Sequence, residues 1–229
     1  MAPQMIRPPT LTAATVNAVR DAILQGDLKP GQPLREGELA DSLSVARSTM
    51  REALRDLQEE GLVEVIPHRG VFVVQLSSRM VEELYTLRAL LEPYAVRIAM
   101  EKGRYTPQDF SEMEALVRQM GKFARAGKHA EATKTDMEFH YQMCQPCDNL
   151  LVLRTLQNHA SLVTMCIRHI GISDLAAAPG VQVHQGLLDA IRAGDPEHAA
   201  AVVRTHLVET GEQYTARMLA IEGQTSRAL

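Results

Sequence analysis

Tryptophan is absent from this 229-residue chain, and aromatic residues make up only 4% of it. A ligand pocket built mainly from stacked aromatic rings is therefore not expected. No apolar run approaches the roughly eighteen residues that a membrane-spanning helix needs. Residues 1–10 contain prolines but no apolar core of a secretory signal. We therefore expect neither a membrane span nor a secretory signal.

Cysteine is also scarce, with Cys144, Cys147 and Cys166 as the three thiols. An odd number of thiols in a chain of this size is typical of a reduced, cytoplasmic protein. Cys144 and Cys147 form a C-x-x-C pair, but no second pair and no βαβ pattern accompany it. A zinc ribbon or a thioredoxin motif is therefore disfavoured, and we interpret the pair as small buried residues at a helix end.

The chain also lacks an excess of positive charge. The chain has 24 Lys and Arg against 28 Asp and Glu, a net charge of −4, and residues 1–75 hold eight basic and ten acidic residues. The overall electrostatic attraction to DNA is therefore modest. Any nucleic-acid-binding function must depend on where the basic residues lie.

The most informative pattern lies in residues 34–73. Apolar residues spaced by three and four predict one helix over 36–43 and a second over 47–60. Ser44 and Val45 lie between them in a tight turn. Two short helices joined by such a turn form a helix-turn-helix, and a further helix is predicted before it, over about 12–25.

A small hairpin, or wing, is predicted next, because strand-like runs at 62–66 and 71–73 flank Pro67–Gly70. The second helix carries arginine and serine on the face away from its apolar stripe: Arg47, Ser48, Arg51 and Arg55. Arginine pairs with phosphate or with guanine, and serine hydrogen-bonds either. Arg69 at the wing tip can reach the DNA backbone or an adjacent groove. The alternative is a helical domain with solvated arginines, but the wing and the single basic face favour DNA binding.

Spaced residues from Val16 to Val73 resemble, in order, the winged helix-turn-helix of GntR-family transcription regulators. They include Gly26–Gly31, Leu34, Glu36, Leu39-Ala40, Arg47, Arg51–Leu54, Leu57, Gly61-Leu62 and Arg69-Gly70. The resemblance implies that Arg35, Arg47 and Arg51 contact DNA and that the wing tip, His68–Gly70, enters the minor groove.

Two residues of the turn depart from the family pattern. Ser44 stands where the family usually has glycine, so it must tolerate an unusual backbone angle. Ala46 stands where the family usually has serine. Ala46 cannot cap the second helix with its side chain, which costs roughly 1 kcal/mol.

After Arg79 the sequence changes to long amphipathic helices without strand-like runs. Six helices are predicted, over about 80–102, 107–126, 130–144, 150–170, 179–193 and 195–221. The first is expected to bury Leu84, Leu87, Leu91, Tyr94, Ala95 and Ile98. The fold class is therefore mainly α: a winged helix-turn-helix of three helices and a small β-hairpin, followed by an all-α six-helix bundle.

These patterns predict five segments of chain. They are a flexible arm (1–10), a DNA-binding domain (11–75), a linker (76–79), a helical effector-binding and dimerisation domain (80–222) and a tail (223–229).

Four potential metal ligands lie on the predicted bundle helices. Asp136 and His140 are four residues apart and face the same way, while His184 and His206 belong to two later helices. One carboxylate and three imidazoles that converge would bind a divalent transition metal. An Asp–His pair at this spacing is weak evidence alone, because it is often a surface hydrogen bond, and a single histidine is often a core residue. Spacing alone therefore leaves both interpretations open.

The runs Asp136–His140, His184–Asp195 and His206-Leu207 resemble the metal-binding pattern of the FCD effector domain, which follows the winged helix in the FadR subfamily. The resemblance covers about residues 81–218, and six helices suggest its VanR-like branch. It implies that Asp136, His140, His184 and His206 bind Zn²⁺ or Ni²⁺ and that the metal helps to hold a small carboxylate effector.

Arg88 lies in an otherwise apolar stretch, where a cation needs a partner. Glu92, four residues on, is one possible structural partner. The family resemblance instead implies that Arg88 grips the carboxylate of the effector. Asn158 and Arg168 are weaker candidates for effector binding. Tyr94, Phe139 and Tyr141 are the aromatic residues expected near the site.

The leading hypothesis is a ligand-responsive transcription regulator, in this family most often a repressor, that binds a palindromic operator as a homodimer. The alternative is a metal-dependent helical hydrolase with an accessory helix-turn-helix domain. Such an enzyme needs a general base beside the metal, but Glu138 faces away from Asp136 and no H-E-x-x-H is present. A DNA-binding structural protein without an effector would have no organised ligand set.

Overall fold

The computed structural model describes residues 10–171 and 178–225. The chain divides into two compact units, Met1–Gln75 and Leu76–Leu229. Residues 1–9 of the predicted arm and 226–229 of the predicted tail lie outside the described residues. No helix within the described ranges combines the length and the apolar character that a transmembrane span requires.

The first unit contains three helices, and their bounds lie close to those predicted: α1 (Leu11–Gln25), α2 (Glu36–Ser42) and α3 (Arg47–Glu59). Thr10 caps α1 by accepting a hydrogen bond from the backbone N–H of Ala13. The buried face of α3 consists of Met50, Ala53, Leu54 and Leu57. These residues recur every three or four positions, so they form one stripe that packs on α1 and α2. The predicted helix-turn-helix is confirmed.

A three-stranded antiparallel sheet completes this unit, with β1 (Pro33–Leu34), β2 (Val63–Ile66) and β3 (Gly70–Val73) in the order β1-β3-β2. The predicted wing is the hairpin of β2 and β3, in which Val65 pairs with Val71. The β1 strand was not predicted, because two residues are too few to show an alternating pattern.

The turn between α2 and α3 has the two features expected from its unusual residues. Ser44 has a φ of 54°, a left-handed conformation that costs roughly 1–2 kcal/mol for a residue with a side chain. Ala46 is the N-cap of α3 and makes no side-chain hydrogen bond to it. The α3 helix therefore begins without the capping bond that a serine would supply.

The described part of the second unit contains the six predicted α-helices and a short 3-10 turn, Gln145–Cys147. They are α4 (Ser78–Glu101), α5 (Pro107–Arg125), α6 (His129–Cys144), α7 (Leu150–Ile170), α8 (Ala178–Arg192) and α9 (Pro196–Thr225). The α4 helix begins at Ser78, so half of the predicted 76–79 linker is helical. The predicted fold class is confirmed.

The α4 and α9 helices pack closely against each other in opposite directions. Ser78 at the start of α4 donates to Glu222 near the end of α9, and Arg97 lies 3.8 Å from Glu197 at the other end. A Cβ atom on Gly211 of α9 would lie 2.6 Å from Cβ of Tyr85. Glycine is therefore needed for the two helices to approach this closely.

The buried face of α4 differs from the predicted one. Leu84 and Ala95 are buried as expected, but Tyr94 is 40% exposed, and Leu87, Leu91 and Ile98 are only half-buried. The buried stripe instead includes two charged residues and a tyrosine: Tyr85, Arg88 and Glu92. The predicted buried face was wrong for Tyr94, because the ion pair of Arg88 and Glu92 occupies the interior of the bundle instead.

Candidate metal centre and nucleic-acid interface

The arginines predicted to contact DNA lie on the exposed surface of the first unit. Arg35 immediately precedes α2, and Arg47 and Ser48 occupy the first turn of α3. Arg51 follows on the same helix, and all four side chains are exposed. The helix-turn-helix thus exposes three guanidinium groups and one hydroxyl. Arg35 lies just before α2, and the other three residues lie in the first half of α3.

Two of these arginines are held by carboxylates of α2. The Nε atom of Arg51 lies 3.2 Å from Oε2 of Glu36, and Nη1 of Arg35 lies 2.8 Å from Oε1 of Glu38. Exposed ion pairs of this kind contribute little to stability, because water screens them. Phosphate oxygens of DNA can therefore replace these carboxylates with little loss of free energy.

The wing tip is also exposed. His68 and Gly70 adopt positive φ values of 63° and 107°, which allows the chain to reverse direction within a tight loop. The guanidinium of Arg69 lies 5.6 Å from the centre of the Phe72 ring, a cation–π contact. The predicted wing residues therefore project together from the end of the hairpin.

Three of the four predicted metal ligands converge in the second unit. His140 of α6, His184 of α8 and His206 of α9 each offer a ring nitrogen, and these nitrogens lie within 4.8 Å of one another. His140 and His184 are buried and His206 is half-buried. Nitrogens bound to one ion at about 2.1 Å can be at most about 4.2 Å apart. Small side-chain movements would therefore suffice to place all three around one ion.

Asp136 supplies a carboxylate beside these imidazoles. Its Oδ1 atom lies 2.7 Å from Nε2 of His184 and 3.9 Å from Nε2 of His140. Asp136 and His140 share the buried face of α6 with Phe139, whose ring packs edge-on against His140 and His184. Three imidazoles and one carboxylate fit Zn²⁺ or Ni²⁺ by donor type.

The protonation states also suit a metal. Burial, followed by the proximity of His140 and His184, lowers the pKa of His206 to about 3. Burial alone would raise the pKa of Asp136, but contact with His184 and the nearby charges outweigh it, so this pKa is lowered. A neutral imidazole and an ionised carboxylate are the forms that bind metals.

Arg88 forms the ion pair with Glu92 that the sequence suggested. Its Nε atom donates to Oε1 of Glu92 over 2.6 Å, while its buried Nη2 atom has no hydrogen-bond partner among the described residues. The guanidinium also lies 5.0 Å from the centre of the Tyr85 ring. Arg88 therefore pairs with Glu92 and still keeps an N–H group available inside the protein.

Glu92 in turn contacts the candidate metal centre. Its Oε2 atom lies 2.7 Å from Nδ1 of His140. Burial alone would raise the pKa of Glu92, but the charge of Arg88, followed by His140, lowers it to about 2. This carboxylate is therefore ionised at neutral pH. From the sequence, Glu92 was expected only as a possible partner of Arg88.

A cavity of about 600 Å³ lies beside Arg88 and the candidate metal ligands. Arg88, Asp136 and the three histidines line one part of it, and the remaining wall includes Val183, Leu187, Val202, Thr205 and Gln213. The volume lies in the usual range for small-molecule sites. No sequence signal identified the polar residues of α9 in this wall.

The structure does not bring every predicted effector contact to this cavity. Among the described residues, neither Asn158 nor Arg168 lines it, and both are exposed on α7. The opposite face of α7 is the buried one, which directs these two side chains outward. The aromatic lining comes from Tyr85 and Tyr214 rather than from Tyr94. Cys144, Cys147 and Cys166 are buried, free thiols.

Comparison with known families identifies both units. Residues 11–73 match the gntR family of bacterial regulatory proteins, and residues 83–209 match the FCD domain. The second match covers more than half of the chain and contains all four predicted metal ligands.

Full-length relatives agree with these matches. The chain is 31% identical over 202 residues to the "Probable D-xylose utilization operon transcriptional repressor" of Paenarthrobacter nicotinovorans, covering 86% of this chain and 88% of that protein. It is 31% identical over 207 residues to the transcriptional regulator LutR of Bacillus subtilis, covering 81% and 92%.

A solved structure shows the same fold. A GntR-type transcriptional regulator from Rhodococcus sp. RHA1 superposes with a TM-score of 0.76 at 23% identity, over 91% of this chain and 99% of that one. The matched families and the relatives are transcription regulators and give no support to the hydrolase alternative. The chain belongs to the GntR family of DNA-binding transcription regulators, and its winged helix-turn-helix is followed by an FCD domain, as in the FadR subfamily.

Proposed function

We propose that this protein is a metabolite-responsive repressor that binds a palindromic operator as a homodimer and responds to a small carboxylate. The observation that carries the effector assignment is the buried Nη2 atom of Arg88, which has no hydrogen-bond partner among the described residues. Arg88 lines the same cavity as the three convergent histidines. A buried N–H group without a partner is costly. A ligand carboxylate would satisfy it.

The metal belongs to the same proposal. Asp136, His140, His184 and His206 would hold Zn²⁺ or Ni²⁺, which when bound supplies positive charge and open coordination positions. Arg88 then binds and orients the acid by donating from Nη2. The apolar side chains Val183 and Leu187 in the cavity wall exclude water from one side of the ligand.

The DNA-binding half of the proposal rests on the exposed arginines. In a two-fold dimer, each α3 enters one major groove through Arg47, Ser48 and Arg51, and each wing tip, His68–Gly70, contacts an adjacent groove. Arg35 binds the backbone beside α2. The exposed positions of all these residues support this assignment. Because the protein would act on chromosomal DNA, we propose that it is cytoplasmic.

Dimerisation requires an apolar surface on the second unit. Leu90 and Tyr94 of α4 are 56% and 40% exposed, and Leu150 and Leu151 of α7 are 68% and 76% exposed. The two helices pack against each other. We propose that these four side chains are buried between protomers. The named role of the Paenarthrobacter relative as a repressor supports the sign of regulation.

Effector binding must favour one state of the DNA-binding dimer, because a ligand with equal affinity for both states changes nothing. We propose that the change passes through residues 76–79. Metal analysis of the purified protein, followed by thermal shift with a panel of small carboxylates, tests the proposal. One metal per chain, and stabilisation by an acid that a chelator abolishes, are expected.

Arg88→Gln and Arg168→Gln form a matched pair for this experiment. Both remove a guanidinium, but only Arg88 lines the cavity. The first variant is expected to lose stabilisation by the acid and the second to keep it. Equal loss in both, or an acid that stabilises all forms equally, would contradict the assignment of Arg88.

A further inference from the structure

The contact between Glu92 and His140 has a consequence for metal binding that depends on the metal centre proposed above. We propose that Glu92 is a positioning residue for this centre. Its buried carboxylate accepts a hydrogen bond from Nδ1–H of His140 and so presents the unprotonated Nε2 of that ring to the metal.

The contact is tertiary, short and shielded from water. Glu92 lies on α4 and His140 on α6, 48 residues later, and Oε2 is 2.7 Å from Nδ1. Their side chains are 1% and 3% exposed. The other oxygen of this carboxylate, Oε1, already accepts from Arg88, so we assign Oε2 as the acceptor towards His140 and the shared proton to Nδ1. The Nε2 atom of the same ring is the one that lies beside Asp136.

Arg88 fixes the other end of this arrangement. It donates from Nε to Oε1 of Glu92 over 2.6 Å, which leaves Oε2 for His140. Its charge also offsets the burial of the carboxylate. The order Arg88–Glu92–His140 therefore aligns one ligand ring by two successive hydrogen bonds.

The surface of α4 offers a direct comparison. Arg79 and Glu83 form the same i,i+4 pair over 2.8 Å, but their side chains are 85% and 63% exposed. No histidine contact is recorded for Glu83 among the described residues. The two ion pairs differ in burial, and only Glu92 of the two glutamates contacts His140. Glu83 therefore serves as a matched control.

Carboxylates that accept from a ligand histidine fix its tautomer and increase its basicity, and their loss typically weakens metal binding by about 10–100-fold. Glu92→Gln keeps the shape of the side chain but introduces an amide that can also donate. Donation to Nδ1 would shift the proton to Nε2 and block that nitrogen. Glu83→Gln removes an equivalent charge, but at the surface of α4 and away from the metal centre.

The experiment measures Zn²⁺ affinity of the full chain by competition with a chelator. Glu92→Gln is expected to bind about 10–100-fold more weakly than the wild type, and Glu83→Gln to bind like it. Equal affinity of Glu92→Gln and the wild type would overturn the positioning role. If the wild type binds no metal, the metal centre itself fails, which is a distinguishable result.

Two further measurements keep the test independent of folding. If Glu92→Gln does not fold, the double variant Arg88→Met with Glu92→Gln removes both buried charges and leaves neither unpaired, and the same loss of affinity is expected. In the metal-free wild type, imidazole ¹⁵N spectra are expected to show His140 protonated at Nδ1. Protonation at Nε2 instead would overturn the proposal.

Discussion

The uncapped start of α3 gives a prediction whose magnitude can be derived from the backbone. Ala46 has φ −67° and ψ 147° and occupies the N-cap of the recognition helix without a side-chain hydrogen bond. These angles are those of an ordinary N-cap, so a serine fits without strain. Its hydroxyl would accept from an otherwise unpaired N–H of the first turn, and such a cap contributes about 1 kcal/mol.

Ala46→Ser should therefore slow hydrogen exchange of the α3 amides by about fivefold, the factor that corresponds to about 1 kcal/mol. The measurement uses the full chain without DNA and compares α3 with the helices of the second unit, where no change is expected. Ala126→Ser is a matched control. Ala126 is the C-cap of α5, where a hydroxyl has no free N–H group to accept from.

Ala46→Asp separates helix stability from DNA binding. The carboxylate also caps α3 and interacts favourably with the helix dipole, so protection of the α3 amides should again increase. Operator affinity should fall, because a negative charge beside Arg47 repels phosphate. Unchanged exchange in both variants would refute the assignment of a missing cap.

Three further predictions concern the two functional regions and the packing of the bundle. Arg51→Ala should weaken operator binding by about tenfold or more in filter-binding or fluorescence titration, with bound metal unchanged; equal affinity would remove Arg51 from the interface. His206→Ala should lose bound metal in elemental analysis, and a full equivalent in the mutant would show that the site is misassigned. Gly211→Ala should lower the free energy of unfolding of the bundle by about 1–3 kcal/mol in urea denaturation, because its Cβ would lie 2.6 Å from Cβ of Tyr85. Gly223→Ala, with nothing within 4 Å, should not lower it.

Helix bounds were predictable from sequence because local chemistry sets them. Residues 150–170 were expected to be helical and form α7, Leu150–Ile170. Asn149 caps the first turn by accepting from Leu151 and Val152, and Gly171 ends the helix with a φ of 68°. By contrast, β1 depends on pairing Pro33 with Phe72. No local pattern signals a pairing between residues so far apart in the sequence.

The candidate site was only partly predictable for the same reason. Asp136 and the three histidines were predicted because their residue types and positions match the metal-binding pattern of the FCD domain. The burial of Glu92 and its contact with His140 required the packing of α4 on α6, which amphipathic periodicity cannot supply. The same periodicity assigned Tyr94 to the core, whereas the buried face of α4 carries Tyr85, Arg88 and Glu92.

The α9 helix connects the cavity to the start of the second unit. It carries His206, and Glu222, sixteen residues later, accepts from N–H and Oγ of Ser78 over 2.8 and 2.9 Å. At about 1.5 Å per residue the two side chains are about 24 Å apart along one rigid element. An effector that displaces α9 at His206 must therefore also disturb the first turn of α4.

Ser78 lies three residues after Gln75, the last residue of the DNA-binding unit. If α9 transmits the effector signal, Glu222→Gln should reduce the change in operator affinity that the effector causes, while metal and effector affinities stay within about twofold. The substitution removes the negative charge at the N-terminus of α4, where it contributes about 0.3–1 kcal/mol. An undiminished response, measured by operator titration with and without the acid, would exclude this contact from signal transmission. The change would then have to reach residues 76–79 along α4 itself.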